Sequence, residues 1–199
     1  MIKAKAGVGK PTSKSRRNKE TEQKPPLSPE EKRRRRNREE IKSFFLRLAV
    51  LLLFLWILFG ICFGIAPVTN GDMFPRISAG DLMLYYRLER NYNSQDVIVY
   101  EQDGARRVGR VIAHGGDTVE ITNDGELHIN GSVVMENNVF YDTLPYTEGN
   151  VTYPLTLAED EVFVLGDYRE EARDSRYYGA ISSDEIKGKV ITILRRSDL

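Results

Sequence analysis

Between Leu48 and Val68 the chain reads LAVLLLFLWILFGICFGIAPV, 21 residues without a charged side chain. A hydrocarbon core about 30 Å thick is crossed by about 20 apolar helical residues. A cleavable signal sequence has a shorter apolar stretch, about 7–15 residues, close to the N-terminus. This run is longer and begins after residue 40. It is therefore expected to be an uncleaved anchor, with a transmembrane helix over 44–66. Gly60 and Gly64 have helix-packing spacing and are read as two glycines tolerated within the membrane.

Charge divides the chain at the same place. Residues 1–47 carry 16 Lys and Arg against 6 Asp and Glu, a net +10, and the remainder 13 against 23, a net −10. Arg33, Arg34, Arg35, Arg36, Arg38, Lys42 and Arg47 precede the span, and no basic residue lies between Pro67 and Phe74. The positive-inside rule then puts the N-terminus in the cytoplasm and the C-terminal domain outside. Residues 1–43 read as a disordered basic tail, too poor in large apolar side chains to offset chain entropy. The Lys32–Arg38 cluster, placed just before a span, points to membrane lipid head groups rather than to nucleic acid. The single cysteine, Cys62, excludes an intramolecular disulfide and a cysteine-based metal site. Nothing in the pattern calls for a metal or cofactor.

Residues 67–199 read as a mainly β domain, barrel-like or sandwich-like. Strands are expected at Asp81–Tyr86, Asp96–Tyr100, Arg107–Ala113, Thr118–Ile121, Leu127–Ile129, Glu161–Leu165 and Val190–Leu194. Asp124-Gly125 and Asn130-Gly131 are hairpin-turn pairs. Ser182–Ile186 is expected to form one short helical turn.

Three segments after the anchor carry a resemblance. Gly71-Asp72-Met73-Phe74-Pro75, followed by Gly80-Asp81, is similar to a G-x-S-M-x-P segment with its trailing Gly-Asp. Gly109-Arg110-Val111-Ile112-Ala113-His114-Gly115-Gly116-Asp117 is similar to K-R-V-x-G-x-P-G-D. The stretch Gly166 to Gly179, GDYREEARDSRYYG, is similar to G-D-N-R-x-N-S-x-D-S-R-x-x-G. Together they resemble the type I signal peptidase family over nearly all of residues 44–199. The resemblance implies that family's β-barrel or sandwich domain behind one transmembrane helix. It also implies scaffold contacts of Asp167 and Asp174 with Arg169 and Arg176.

The departures fall on the positions that the family uses to cut. A hydroxyl becomes a competent nucleophile when a base takes its proton, and lysine serves once burial lowers its pKa. The nucleophile position is Asp72, the base position is Gly109, and a supporting Ser position is Ala172. Arg110 neighbours Gly109 but faces the other side of a strand, and it stays protonated. Lys187 and Lys189 lie in the closing segment, and His114 and His128 read as ordinary turn or surface residues. The resemblance therefore implies an inactive homologue. Asp72, Met73, Phe74, Pro75 and Gly109 would line a peptide groove, Gly109 leaving space where a lysine stem lay and Asp72 meeting a cationic or amide group of a partner. Degenerate relatives of this kind in Gram-positive bacteria assist sortase-linked pilus polymerisation. The implied partners are a pilin or other surface-protein precursor and a sortase. An active signal peptidase of unorthodox chemistry and a regulator of an active one remain as alternatives.

Overall fold

The computed structural model describes residues 28–136, 139–148 and 151–195. The chain divides into two compact units, Met1–Arg47 and Leu48–Leu199. Helix α1 (Pro29–Ile57) begins inside the stretch expected to be a disordered tail. The cause is a capping box. Glu31 N donates to Ser28 Oγ at 3.2 Å, Ser28 N donates to Glu31 Oε2 at 2.9 Å, and Pro29 fills the first helical position. Pairs along the helix surface, Arg36–Glu40 at 4.0 Å and Lys42–Glu39 at 3.7 Å, add a little support. The disorder expected for residues 1–27 lies outside the described residues. Among the described residues one helix is long and apolar enough to cross a membrane, and none of its side chains is buried within the chain.

The helical run ends sooner than expected. It closes in a π-helical turn, Leu58–Cys62, after which Phe63 is extended. Strand β1 (Phe63–Pro67) takes up the last four residues, 63–66, of the stretch assigned above to the membrane helix. It pairs antiparallel with β2 (Leu82–Tyr86), register Phe63 to Tyr86 through Pro67 to Leu82. Gly64 is needed there. A Cβ on it would lie 2.2 Å from Tyr85 Cζ. Gly64 is thus a strand residue under an aromatic ring, and the Gly60–Gly64 helical spacing does not exist in the folded chain.

The strands continue as β3 (Val97–Gln102), β4 (Ala105–His114), β5 (Thr118–Ile121), β6 (Leu127–Ile129), β7 (Ser132–Val133), β8 (Leu155–Thr156) and β9 (Glu161–Leu165). Helix α2 (Ser175–Tyr178), β10 (Ile181–Ser182) and β11 (Ile186–Leu194) complete the described domain. One sheet runs β1-β2-β11-β3-β4-β9-β10 and the other β7-β6-β5-β8. The architecture is mainly β behind an apolar N-terminal helix. Asn130 and Gly131 both have positive φ, 51° and 77°, as a two-residue hairpin of this twist demands. The helical turn expected at Ser182–Ile186 is a tight turn between β10 and β11 instead. Its amides, Glu185 N and Ile186 N, reach back only three residues. The domain's own helix is α2, and Asp174 caps it by accepting from Arg176 N.

Alternation sets the core. β1 buries Gly64 and Ala66 and exposes Ile65, while β2 buries Met83 and Tyr85 and exposes Leu82. Met73, Ile77, Val99 and Val108 join the buried set on one side. Ile98, Tyr100, Val111, Val162 and Val164 form a second cluster, and Phe163 and Leu165 anchor a third beneath β5 and β6. The outer face of β1–β2–β11 keeps Ile65, Leu82 and Leu194 in solvent, directly after the apolar helix in sequence.

Candidate functional site

The site is built on β4, whose side chains alternate between two faces. Arg107 and Gly109 share one face and Arg110 takes the other. On its own face Arg110 is clamped. Its Nε and Nη2 donate to Asp167 Oδ1 and Oδ2 at 2.8 and 2.6 Å, and its Nη1 donates to Gln95 O at 2.9 Å. Asp167 was expected, with Asp174, to contact Arg169 and Arg176. It meets Arg110 because the end of β9, which leads into Asp167, pairs with β4 at Arg110–Leu165.

Arg107, two residues before Gly109, reaches the segment preceding β2. Its Nη1 lies 3.7 Å from Asp72 Oδ2, and its guanidinium stands over the Tyr178 ring at 5.0 Å. Arg107 Nε is buried without a hydrogen-bond partner among the described residues. Asp72 is 9% exposed, and its Oδ2 accepts from Asn70 Nδ2 at 2.6 Å. Burial raises its pKa to about 6. The Arg107 charge opposes that rise and the Asp174 charge adds to it. Tyr100, buried beneath, has its phenol pushed well above the usual range by burial, with Asp174 and Asp72 adding to the effect. The carboxylate expected to greet a partner's cation or amide thus already faces both groups from its own chain.

Gly109 offers no vacancy. A Cβ there would fall 2.4 Å from Val164 Cγ1, 3.3 Å from Leu165 O and 3.4 Å from Tyr100 Cε1. The space expected for a lysine stem is filled from β9 and β3. Gly166 is equally tight, its Cβ direction meeting Ala172 Cβ at 2.3 Å and Asp72 O at 2.6 Å. Tyr168 N donates to Asp72 O at 2.9 Å, tying the 166–179 loop to the Asp72 segment. Met73, expected to line the groove, is 1% exposed and belongs to the core. Phe74 and Pro75 are exposed.

The 166–179 loop carries a saturated ion-pair network. Asp174 accepts from Gly166 N at 2.9 Å, from Arg176 N at 3.0 Å and from Arg176 Nε at 2.9 Å. Arg176 also donates to Arg169 O at 2.8 Å and to Leu144 O at 3.2 Å. Arg169 donates to Gly166 O and Glu136 Oε1, each at 2.7 Å, and to Thr143 Oγ1. Tyr146 OH donates to Ala172 O at 2.8 Å, and Ser175 Oγ accepts from Val164 N at 2.9 Å. The structure thus brings Asp72, Ala172, Arg169 and Asp174 against Gly166, with Arg176 joined through Asp174, while Asp167 pairs with Arg110 and Gly109 packs on Val164 and Leu165 O.

The remaining ionisable candidates are committed elsewhere. His114 Nδ1 faces Asp117 at 3.8 Å and His128 faces Glu126 at 3.2 Å. Lys187 pairs with Glu101 at 3.2 Å and Lys189 with Asp96 at 2.7 Å. Sequence reasoning missed Arg107, Asn70, Glu136 and Thr143. The signal for Arg107 was present in its two-residue offset from Gly109. Glu136 and Thr143 lie in irregular chain that no periodicity addresses.

With this geometry in place, the comparisons with known proteins decide the family. The model of the signal peptidase, peptidase S26 family matches residues 41–194. The chain belongs to that family. It is 33% identical over 106 residues to signal peptidase I P of Bacillus subtilis subsp. natto, a match covering 49% of this chain and 56% of the relative. It is 30% identical over 136 residues to signal peptidase I of Bacillus caldolyticus, covering 62% of this chain and 74% of that one. The chain therefore spans little more than half the length of the first of these relatives. Among solved structures it is similar to a signal peptidase I from Enterococcus faecalis V583, 31% identical, covering 51% of this chain and 97% of that one with a TM-score of 0.42. Within this peptidase S26 domain, a charged pair, Asp72 and Arg107, lies on the Gly109 face of β4.

Proposed function

We propose that this signal peptidase-like chain is a non-catalytic, membrane-anchored holder of surface-protein precursors, acting in sortase-dependent pilus polymerisation. The observation that carries the reading is the filled dyad. The position matching the nucleophile is a carboxylate facing an arginine, and Val164 fills the space beside the position matching the base. Arginine does not accept a proton at neutral pH, so Arg107 supplies no general base.

Loss of the dyad leaves the means of holding a peptide. Strand addition needs backbone groups and side-chain pockets rather than a nucleophile. Phe74 and Pro75 are exposed beside Asp72, and the apolar face bearing Ile65, Leu82 and Leu194 follows directly on the membrane helix. The charge division of the chain supports a cytoplasmic N-terminus with the β domain outside.

A second reading is an active peptidase with Asp72 as an acid–base group. It draws on the activity named for the relatives and on an Asp72 pKa of about 6, near neutral pH. Genetic complementation separates the two. In a pilus-producing Gram-positive host lacking its copy of this gene, wild type and Asp72→Ala are both expected to restore the ladder of pilus polymers. Restoration by wild type alone would favour the catalytic reading. Restoration by neither would remove the pilus role.

A further inference from the structure

Beside the Asp72 segment, aromatic rings and carboxylates share one surface. The Phe74 ring lies 6.0 Å from the Tyr168 ring, and Tyr168 lies 5.1 Å from Tyr141, so three rings form a continuous row. Phe140 and Met135, close by in sequence, are 81% and 87% exposed. Contiguous exposed apolar patches on a protein surface mark contact sites.

Carboxylates flank the row. Glu170 and Glu171 follow Tyr168, and Asp142 follows Tyr141, all exposed. The Glu171 carboxylate, burial and Glu170 all push the Tyr168 phenol upward. A cavity of about 280 Å³ opens next to the row, with Leu144, Pro145 and Tyr146 as walls and Asp142 and Glu170 among its lining. Arg169 and Arg176 also line it, but their donors are spent on Asp174, Glu136 and backbone carbonyls. Among the described residues no ion pair engages Asp142 or Glu170. Local charge repeats the domain's bias, 13 basic against 23 acidic residues after Arg47.

We infer that the Phe74–Tyr168–Tyr141 row and its carboxylates dock an extended segment of a partner polypeptide through a lysine or arginine side chain. Such a side chain matches both halves of the surface. Its aliphatic stem lies along aromatic faces, and its charge is drawn to ring quadrupoles and carboxylates together. The inference rests on the precursor-holding reading and names which feature of the precursor is held. The row reaches the Asp72 segment through Tyr168, whose N–H donates to Asp72 O.

The test uses the full-length protein in detergent and dye-labelled extended peptides that are identical except at two positions, lysine, norleucine or glutamate. Fluorescence anisotropy is expected to show the lysine peptide binding about tenfold more tightly than the norleucine peptide, a difference of about 1.4 kcal/mol. The glutamate peptide is expected to be weakest. The lysine advantage is expected to shrink in Asp142→Asn/Glu170→Gln and as salt screens the pair. Tyr168→Ala is expected to weaken both the lysine and norleucine peptides, with its thermal unfolding checked beside wild type. Equal binding of lysine and norleucine peptides, or an advantage untouched by the carboxylate variant, would overturn the inference. A precursor held without charge preference would sink the cation site alone. Cleavage of that precursor would sink the holding reading instead.

Discussion

Two buried charge clusters meet at Gly166, and they are finished to different standards. In the loop network, the Asp174 carboxylate and the Arg169 and Arg176 guanidinium groups all have close partners, most of them between 2.7 and 3.2 Å. Beside Gly109, Arg107 stands 3.7 Å from Asp72 with its Nε unpaired among the described residues, and burial pushes the Asp72 carboxyl up to about 6. A fully satisfied buried network specifies one loop conformation. An incompletely satisfied pair costs stability, and such groups collect where a fold serves or once served chemistry. The contrast separates scaffold from site across the Gly166–Asp72 contact.

The sharpest way to break the contrast is to cut the network. Asp174→Ala strands Arg176 and Gly166 N and is expected to cost about 3–5 kcal/mol, read by chemical denaturation of the detergent-solubilised protein. Asp72→Ala is expected to cost far less under the same conditions.

Next comes the packing around Gly109. Gly109→Ala drives a Cβ into Val164 Cγ1 and is expected to destabilise by about 1–3 kcal/mol. Val164→Ala should recover part of that loss, a coupling that a double-mutant cycle measures. The same clash predicts that Asp72→Ser/Gly109→Lys gains no peptidase activity until Val164 is also reduced.

The Asp72 pair is sharpened by pH. Its pKa is raised in the folded state from 3.8 to about 6, so between those values the folded chain binds the proton that the unfolded chain has lost. Stability then falls as pH rises from about 4 to 6 and levels off above. Asp72→Asn removes that dependence. It is expected to be more stable than wild type by about 1–2 kcal/mol at pH 7, with the gain shrinking toward pH 4. Thermal melts across that range check the sign. The smallest effect belongs to a half-exposed pair. Lys187→Ala breaks the contact with Glu101 and is expected to change stability by under about 0.5 kcal/mol.

Most strands were legible because alternating apolar residues and Gly, Asn and Asp turns mark them plainly. The end of the helix was not. Phe63–Pro67 is apolar enough for membrane, yet it serves as an edge strand because Leu82–Tyr86 offers it an antiparallel partner. The Ser28–Glu31 capping box was visible in sequence, and it starts the helix within the basic tail. At the site, Asp72, Gly109 and Ala172 were located by motif, but their surroundings depend on cross-strand neighbours. Val164 over Gly109 follows from the β4–β9 pairing, and Asp167 bonding Arg110 follows from the same register. Met73 looked like groove lining because the motif is read linearly. The fold turns it inward beside Met83 and Val99.

The most direct test of the central claim is to incubate the full-length protein in detergent with secretory precursors, a pilin precursor among them, and to follow the products by mass spectrometry beside Asp72→Ala. Wild type is expected to leave every precursor intact while binding at least one. Cleavage at a signal-peptide site by wild type, abolished in Asp72→Ala, would contradict that expectation and make Asp72 a catalytic residue.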